Sequence, residues 1–250
     1  MGEWFISYRK PYNPKVSLFC FPFAGGSATL FSNWVDYFPD VEVIGIQLPG
    51  RGARIMEPCI DNIESMVEKL VPLIEERVDL PFIFFGHSMG AIIAFETLVA
   101  LNSDIKAHCL RLIVAGRRAP NIISNQKSIH YLDDSDFINE LRNLSGTPDE
   151  IISDKGLMEL LIPMLKADFK LGELYRPSRI AVLPMPITAL YGEEDDHDGK
   201  LDIAGWDNHT KHRLQAVPIR GGHFFINTEI SAVIQIIRNN INKDLLTMGI

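Results

Sequence analysis

Short apolar runs alternate along the chain with longer segments in which apolar residues recur at helical spacing. The short runs are rich in β-branched or aromatic residues and predict strands, buried ones over about residues 16–21 and 41–48 and further strands over about residues 82–85, 110–115, 187–191 and 214–219. Helices are predicted over about residues 61–78, 91–101 and 229–241. Strands that alternate with helices are joined by right-handed crossovers, which gives a mostly parallel sheet covered on both faces. The predicted fold class is therefore α/β.

The predicted helix over residues 61–78 carries two local signals. Asp61 followed by Glu64 resembles a capping box, so we expect the helix to begin there. Pro72 lacks a backbone donor in the middle of the segment, so we expect it to kink or divide the helix.

The strand predicted at residues 82–85 runs into Gly86-His87-Ser88-Met89-Gly90, directly before a predicted helix. A G-x-S-x-G sequence in this position is typical of a nucleophile elbow, where the serine hydroxyl projects from a strained turn. The flanking glycines lack a Cβ, which lets neighbouring elements come close. Ser88 is therefore the candidate nucleophile.

The segment from about residue 121 to 178 interrupts the alternation because it contains no convincing strand. In it, apolar residues fall at positions i, i+3, i+4, i+7 and i+8, namely Leu157, Leu160, Leu161, Met164 and Leu165. This pattern predicts an amphipathic helix that packs its stripe against the body of the protein. A sharper hypothesis is a mobile lid that meets an acyl chain. We interpret residues 1–250 as one domain with a helical lid insertion over residues 121–178.

A serine hydroxyl needs a general base, and the base needs an acid that holds its tautomer. His223 is the candidate base because it lies in a glycine-rich loop after the last predicted strand. Its place also fits the order Ser, acid, His that is expected on such a fold. Of the other histidines, His87 adjoins the nucleophile, and the rest lie in polar stretches typical of solvated side chains, namely His108, His130, His197, His209 and His212.

The acid is expected after the preceding strand, where Gly192 leads into Glu193-Glu194-Asp195-Asp196. We choose Asp195, with Asp196 as the alternative. The cluster could instead be a solvated turn, or a calcium or magnesium site that also uses Asp198, although its spacing does not match an EF-hand loop.

Attack on a carbonyl creates an oxyanion that must be stabilised. On such folds the donors are the N–H after the nucleophile and an N–H from the loop after an early strand. These are predicted to be the N–H groups of Met89 and Ala24, with Gly25 and Gly26 keeping the second loop tight. No cofactor and no metal is required for this chemistry.

Composition and charge narrow the classes of partner and the compartment that we expect for this protein. With 46% hydrophobic and 22% charged residues in 250, the chain can bury a substantial core. A net charge of −8 without a basic tract argues against nucleic acid. No signal-like N-terminus and no apolar run of about 20 residues is found, so no membrane partner is expected. Cys20, Cys59 and Cys109 are widely spaced, which favours a reducing cytoplasm over a disulfide framework.

Over about residues 15–241 the chain resembles the type II, or stand-alone, thioesterases that accompany nonribosomal peptide and polyketide synthases. The motifs that carry the resemblance are C-F-P-F-A-G-G at 20–26, Q-L-P-G-R-G-A-R at 47–54, G-H-S-M-G at 86–90, G-R-R-A-P at 116–120, L-R-N-L-S-G-T-P at 141–148, L-K-A-D-F at 165–169, G-E-E-D-D at 192–196 and G-G-H-F-F at 221–225.

The resemblance implies an α/β-hydrolase fold and hydrolysis of acyl or aminoacyl groups from the phosphopantetheine arm of carrier proteins, which clears stalled or misprimed intermediates. It also implies catalytic roles for Ser88, Asp195 and His223 and oxyanion-hole roles for Ala24 and Met89. Acyl-loaded carrier proteins are the expected partners, and a monomer is the expected state.

Two other interpretations stay open at this point. One is a general carboxylesterase or acyl-CoA thioesterase with the same triad. The other is a binding protein that keeps the fold without the reaction, against which the complete set of candidate residues argues.

Overall fold

One sheet carries every candidate site residue at or near its carboxyl edge. The computed structural model describes residues 3–123, 127–144, 146, 148–196 and 200–249. Its described strands are β1 (Phe5–Ser7), β2 (Val16–Phe21), β3 (Val41–Ile46), β4 (Phe82–His87), β5 (Cys109–Ala115), β6 (Ile187–Gly192) and β7 (Gln215–Ile219). They lie in the order β1-β3-β2-β4-β5-β6-β7, with β1 antiparallel to β3 and all other neighbours parallel. The predicted mostly parallel α/β fold is confirmed.

Helices cover both faces of this sheet. They are α1 (Ile63–Arg77), α2 (Met89–Ala100), α3 (Ser103–Ala107), α4 (Asp134–Leu144), α5 (Asp149–Ser153), α6 (Lys155–Leu174), α7 (Lys200–Ala204), α8 (Phe225–Thr228) and α9 (Ile230–Met248), with 3₁₀ turns at Ala28–Asp36, Gly52–Arg54 and Gly205–His209. In the part of the chain that the structure describes, none of them is long and apolar enough to cross a bilayer.

Strands β2 to β6 are buried on both faces, which explains why they are visible in the sequence as largely apolar runs, whereas the edge strand β7 is mostly exposed. In β2, Val16, Leu18 and Cys20 pack into the core beneath α9, whereas Phe19 and Phe21 pack into the core beneath α1 and α2. Successive side chains of a strand point to opposite faces, so one apolar run supplies both cores.

The two ends of the chain depart from the sequence prediction. The strand β1 was not predicted, because a three-residue segment has no readable period and forms only by pairing, Phe5 opposite Ile46. The last helix continues past residue 241 to Met248, since Leu245 is still buried against the sheet. Gly249, with φ 77°, then ends it in the left-handed conformation that glycine tolerates.

The predicted start of α1 is wrong by one residue. The N-cap is Asn62 rather than Asp61, and its side chain accepts the N–H of Ser65 at 2.9 Å. Pro72 lies inside an undivided helix. It is exposed, as is Glu68 one turn earlier, so the carbonyl that Pro72 leaves without a donor can be satisfied by water.

Three helices, α4 to α6, lie between β5 and β6. Residues 124–126, Ser145 and Thr147 of the predicted insertion lie outside the described residues, and the described part of it contains no strand. These helices share a small core of their own, formed by Ile129, Phe137, Leu141, Ile152, Met158, Ile162, Met164 and Leu165.

The stripe predicted on α6 is confirmed in part. Met164 and Leu165 are buried, and Leu161 packs against the same core. Leu157 and Leu160, by contrast, are 37% and 54% exposed, and Met158 and Ile162 are buried instead. Contacts with α4 and α5 decide which apolar residues of α6 are covered.

Candidate active site

Ser88 lies in the turn between β4 and α2. Its backbone has φ 53° and ψ −116°, and among the described non-glycine residues it alone has a positive φ. The N–H of Ser88 donates to the carbonyl of Ala115 on the neighbouring strand at 2.8 Å. A side chain held in such a costly conformation is characteristic of a site where geometry serves chemistry.

The two glycines of the elbow are required by close backbone approach. A Cβ on Gly90 would lie 2.2 Å from the carbonyl oxygen of Phe21, and one on Gly86 would lie 2.4 Å from that of Gly90. Both distances are far below van der Waals contact, so any side chain would push β2 or α2 away from the turn.

The structure brings the three predicted polar side chains together. The Nε2 atom of His223 lies 3.0 Å from the Oγ of Ser88, and its Nδ1 lies 2.8 Å from the Oδ2 of Asp195. With the proton on Nδ1, the ring donates to Asp195 and accepts the hydroxyl proton of Ser88. The Asp195 side chain is 0% exposed, whereas Asp196 faces solvent. The aspartate beside the imidazole is thus Asp195.

Backbone bonds tie the acid loop to the histidine loop. The N–H of Glu193 donates to the carbonyl of Ile219 at 2.8 Å, and the N–H of Glu194 donates to that of Gly221 at 3.0 Å. Gly192 allows the approach, because a Cβ there would lie 2.5 Å from the carbonyl oxygen of Gly222. These contacts between the two loops therefore hold the carboxylate and the imidazole next to each other.

The candidate oxyanion donors are the N–H groups of Met89 and Ala24. Met89 is the first residue of α2, where an N–H has no acceptor one turn earlier. Ala24 lies in a turn closed by the N–H of Gly26 donating to the carbonyl of Phe23 at 2.8 Å. Ala24, Ser88, Met89 and His223 all line one cavity.

That cavity has a volume of about 360 Å³. Its apolar wall comes from the insertion and the two loops beside Ser88, with Phe23, Leu141, Leu144, Leu165, Phe169 and Phe224. Charged side chains lie in the remaining lining, with Arg117, Arg118, Lys127, Glu140, Glu173 and Arg176. The site therefore offers an apolar space next to the serine and a polar rim.

Comparison with known proteins identifies the family. The thioesterase domain model matches residues 16–241. The chain belongs to the thioesterase family. It is 36% identical over 227 residues to the gramicidin S biosynthesis protein GrsT of Aneurinibacillus migulanus, covering 90% of this chain and 89% of that protein. It is also 36% identical over 230 residues to the thioesterase PikA5 of Streptomyces venezuelae, covering 91% and 82%.

A solved structure extends the likeness to three dimensions. The type II thioesterase BorB from the borrelidin biosynthetic cluster matches with a TM-score of 0.86 and 31% identity, covering 95% of this chain and 97% of that one. The predicted α/β-hydrolase fold and the resemblance to type II thioesterases are confirmed.

The remaining histidines of this thioesterase lie away from the reacting atoms or have other partners. His108 and His212 are exposed, as expected, and His130 bonds to Glu173. The prediction for His209 is wrong: it is buried, with Nδ1 at 2.9 Å from the carbonyl of Ala181 and Nε2 at 2.9 Å from Oδ1 of Asn121. Partners distant in sequence, invisible to a local polarity count, hold it inside. His197 lies outside the described residues.

The acidic side chains at residues 193–196 of the thioesterase do not converge on one point. Glu193, Glu194 and Asp196 are exposed, while the Asp195 carboxylate faces His223. Asp198 lies outside the described residues. Across the ranges that the structure describes, no three His, Cys, Asp or Glu side chains are placed to hold a metal ion.

Sequence reasoning missed two charged residues beside the site of the thioesterase. Asp168 and Arg51 are buried and form an ion pair next to the Ala24 loop. A signal was available: Asp168 lies three residues after Leu165, on the buried face of α6, where a carboxylate is costly without a partner.

His87 is buried among the rings of Phe23, Phe224 and Phe225 and lies edge-on to His223. Burial lowers the pKa of His87 well below its usual range, and positive charge on His223 lowers it further. Burial also lowers the pKa of His209. Both histidines are therefore neutral in the folded thioesterase near neutral pH.

We expect the free energy of unfolding to fall as the pH drops from about 7 to 5, since the unfolded chain protonates these histidines near pH 6.5 and the folded protein does so only at lower pH. Stability is thus present above the unfolded pKa and is lost below it. In His87→Leu the fall should be shallower by up to about 1.4 kcal/mol per pH unit, measured by urea unfolding. His108→Leu, at an exposed site, is the control. Equal slopes in the wild type and His87→Leu would contradict the assignment.

Proposed function

We propose that this thioesterase hydrolyses acyl or aminoacyl groups from the phosphopantetheine arm of carrier proteins in nonribosomal peptide or polyketide biosynthesis, through a Ser88–His223–Asp195 triad. The observation that carries the proposal is the chain of contacts from Ser88 Oγ to His223 Nε2 at 3.0 Å and from His223 Nδ1 to Asp195 Oδ2 at 2.8 Å. Support for the pathway comes from relatives named for gramicidin S and borrelidin biosynthesis.

In the first step, Ser88 Oγ attacks the thioester carbonyl carbon while His223 Nε2 takes the hydroxyl proton. Asp195 stabilises the imidazolium that forms. The carbonyl oxygen becomes an oxyanion, which accepts hydrogen bonds from the backbone N–H groups of Ala24 and Met89. Collapse breaks the carbon–sulfur bond, and the thiol leaves with the proton from His223, so the acyl group stays on Ser88.

In the second step, a water molecule attacks the acyl-serine carbonyl and His223 takes its proton. The same oxyanion donors stabilise the second tetrahedral intermediate. Return of the proton to Ser88 Oγ releases the carboxylic acid and restores the enzyme. A thiol with a pKa of about 8.5 leaves far more readily than an alcohol or amine, so no cofactor is needed.

The cavity beside Ser88 can hold the acyl chain of a substrate. Leu141, Leu144, Leu165 and Phe169 from α4 and α6 line it beside Ser88, so an apolar acyl chain would be removed from water there. The helices of the insertion therefore act in this proposal as the lid of the acyl site.

The carrier is expected to approach the polar rim. Lys166 and Lys170 are paired with Asp134 and Asp61 and contribute little net charge. The guanidinium-bearing residues Arg117, Arg118 and Arg176 line the cavity, and we propose that an acidic carrier docks against this side of the site. The three cysteines of this chain are free, in keeping with the cytoplasmic location that we propose. We also propose that the enzyme is a monomer.

Mass spectrometry of an acyl-loaded carrier protein, before and after incubation with the enzyme, tests the proposal. We expect loss of the acyl mass with the phosphopantetheine arm left on the carrier. The Michaelis constant for the carrier should rise with salt, because docking to the arginines is electrostatic. Ser88→Ala, incubated in the same way, is the control for uncatalysed loss.

Two further substrates distinguish the proposed function from the alternatives. The same acyl group is offered on coenzyme A and as a simple ester, and we expect the carrier to give a kcat/KM at least about 10-fold higher. Equal or faster turnover of the coenzyme A thioester or the ester would replace the proposal with an acyl-CoA thioesterase or a carboxylesterase.

A further inference from the structure

A buried ion pair lies directly behind the loop of residues 24–26, here called the oxyanion loop. Asp168, on α6, is 1% exposed. Its two carboxylate oxygens accept one bond each from Nη1 and Nη2 of Arg51, both at 2.7 Å. This bidentate arrangement is the strongest geometry available to an arginine and a carboxylate.

Both partners also hold the oxyanion loop itself. The N–H of Gly25 donates to Oδ2 of Asp168 at 2.7 Å, and Nη1 of Arg51 donates to the carbonyl of Gly26 at 2.9 Å. Gly25 has φ 80° and is the third residue of the turn that runs from Phe23 to Gly26. A type II turn requires such a positive φ at this position.

We propose that Asp168, itself held by Arg51, is the positioning residue of the oxyanion loop. By accepting the Gly25 N–H, the carboxylate stabilises the turn in which Gly25 has a positive φ, and that turn sets the direction of the neighbouring Ala24 N–H. The inference rests on the proposed function, because the direction of the Ala24 N–H matters only if it meets an oxyanion.

Arg51 is needed for charge as well as for geometry. A bare carboxylate beside the oxyanion loop would repel the negative charge that develops in the transition state. Paired with Arg51, Asp168 offers an acceptor to Gly25 while the pair as a whole stays neutral. A buried ion pair is by itself weak evidence of a stabilising role, since apolar residues of similar volume often stabilise a core as well.

The arrangement also couples the insertion to the reaction. Leu165 and Phe169 of α6 line the cavity. Leu165 also packs on the oxyanion loop, where a Cβ on Gly25 would lie 2.7 Å from its Cδ2. The helix that forms part of the acyl site therefore also holds the loop that presents a donor to the acyl carbonyl.

The double variant Arg51→Met with Asp168→Leu tests the inference without leaving one buried charge unpaired. We expect kcat on the acyl-loaded carrier to fall about 100-fold with KM within about two-fold of the wild type, because an oxyanion donor acts on the transition state and not on the bound substrate. The affinity for an acyl trifluoromethyl ketone, which forms a tetrahedral oxyanion on Ser88, should fall in parallel.

A matched control is present elsewhere in the fold. Arg111 and Asp244 form a second bidentate pair, with Nε to Oδ2 at 2.8 Å and Nη2 to Oδ1 at 2.6 Å. Arg111 lies near the amino end of β5, whereas the site lies at the carboxyl end of the strands. Arg111→Met with Asp244→Leu makes the same chemical change there and should leave kcat and ketone affinity unchanged. If the first double variant does not fold, Arg51→Lys keeps the charge without the bidentate geometry, and a fall in kcat at constant KM is again expected.

The outcomes separate the two proposals. A folded double variant with kcat within about three-fold of the wild type would overturn the positioning role and leave the proposed function intact. A wild-type enzyme that neither hydrolyses the carrier thioester nor binds the ketone would instead overturn the proposed function.

Discussion

Replacing Ser88 with alanine is expected to lower kcat for carrier-bound thioesters by about 10⁶-fold, to near the background that binding alone supports. The hydroxyl, 3.0 Å from His223 Nε2, is the atom that attacks the thioester, and without it no acyl-serine forms for the water of the second step to hydrolyse. Single-turnover mass spectrometry should find an acyl adduct on the wild-type chain and none on Ser88→Ala. Because the triad acts as a unit, adding His223→Ala should cause little further loss.

The backbone at Ser88 supplies the control for folding. Alanine keeps the Cβ, so Ser88→Ala retains the strain of φ 53° and should unfold at nearly the same urea concentration as the wild type. Ser88→Gly should be equally inactive but more stable by about 1 kcal/mol or more, since glycine relieves a conformation of this kind. Retention of more than about 1% of the wild-type kcat in Ser88→Ala would remove Ser88 from the nucleophile role.

Changing Asp195 to asparagine should lower kcat by about 10⁴-fold while the fold is retained. An amide facing Nδ1 favours the tautomer with the proton on Nε2, and that tautomer cannot accept the Ser88 proton. The lost carboxylate also no longer stabilises the imidazolium. Steady-state kinetics on the acyl-loaded carrier measure the effect.

Asp196→Asn is the matched control, because it makes the same chemical change one residue away at an exposed position. Its kcat should lie within about two-fold of the wild type. A large loss in Asp196→Asn together with near-normal turnover in Asp195→Asn would transfer the acid role to Asp196.

Features that depend on neighbours in sequence could be predicted from the chain alone. The central strands of a parallel sheet are covered on both faces and are therefore largely apolar, so the runs that became β2 and β4 stood out. The elbow was readable because Gly86 and Gly90 are required by local backbone packing. The loop of His223 was readable from its glycines and its place in the chain order.

Features that depend on which surfaces meet were decided by the tertiary structure. The apolar residues of α6 were compatible with more than one buried face. Contacts with α4 and α5 covered Met158 and Ile162 as well as the predicted Met164 and Leu165 and left Leu157 and Leu160 exposed. Asn62 rather than Asp61 capped α1, since the cap depends on where the helix axis begins.

The site shows the same division. Amino-acid sequence alone named Ser88, His223 and Asp195, with Asp196 as the alternative acid, because residue types and turn signals are local properties. The tertiary structure chose Asp195 by burying its carboxylate against the imidazole. It also revealed the Arg51–Asp168 pair, whose members are far apart in the chain and meet only when α6 packs over the oxyanion loop. Long-range contacts of this kind leave no period in a sequence, because they arise from the packing of elements that fold from separate segments.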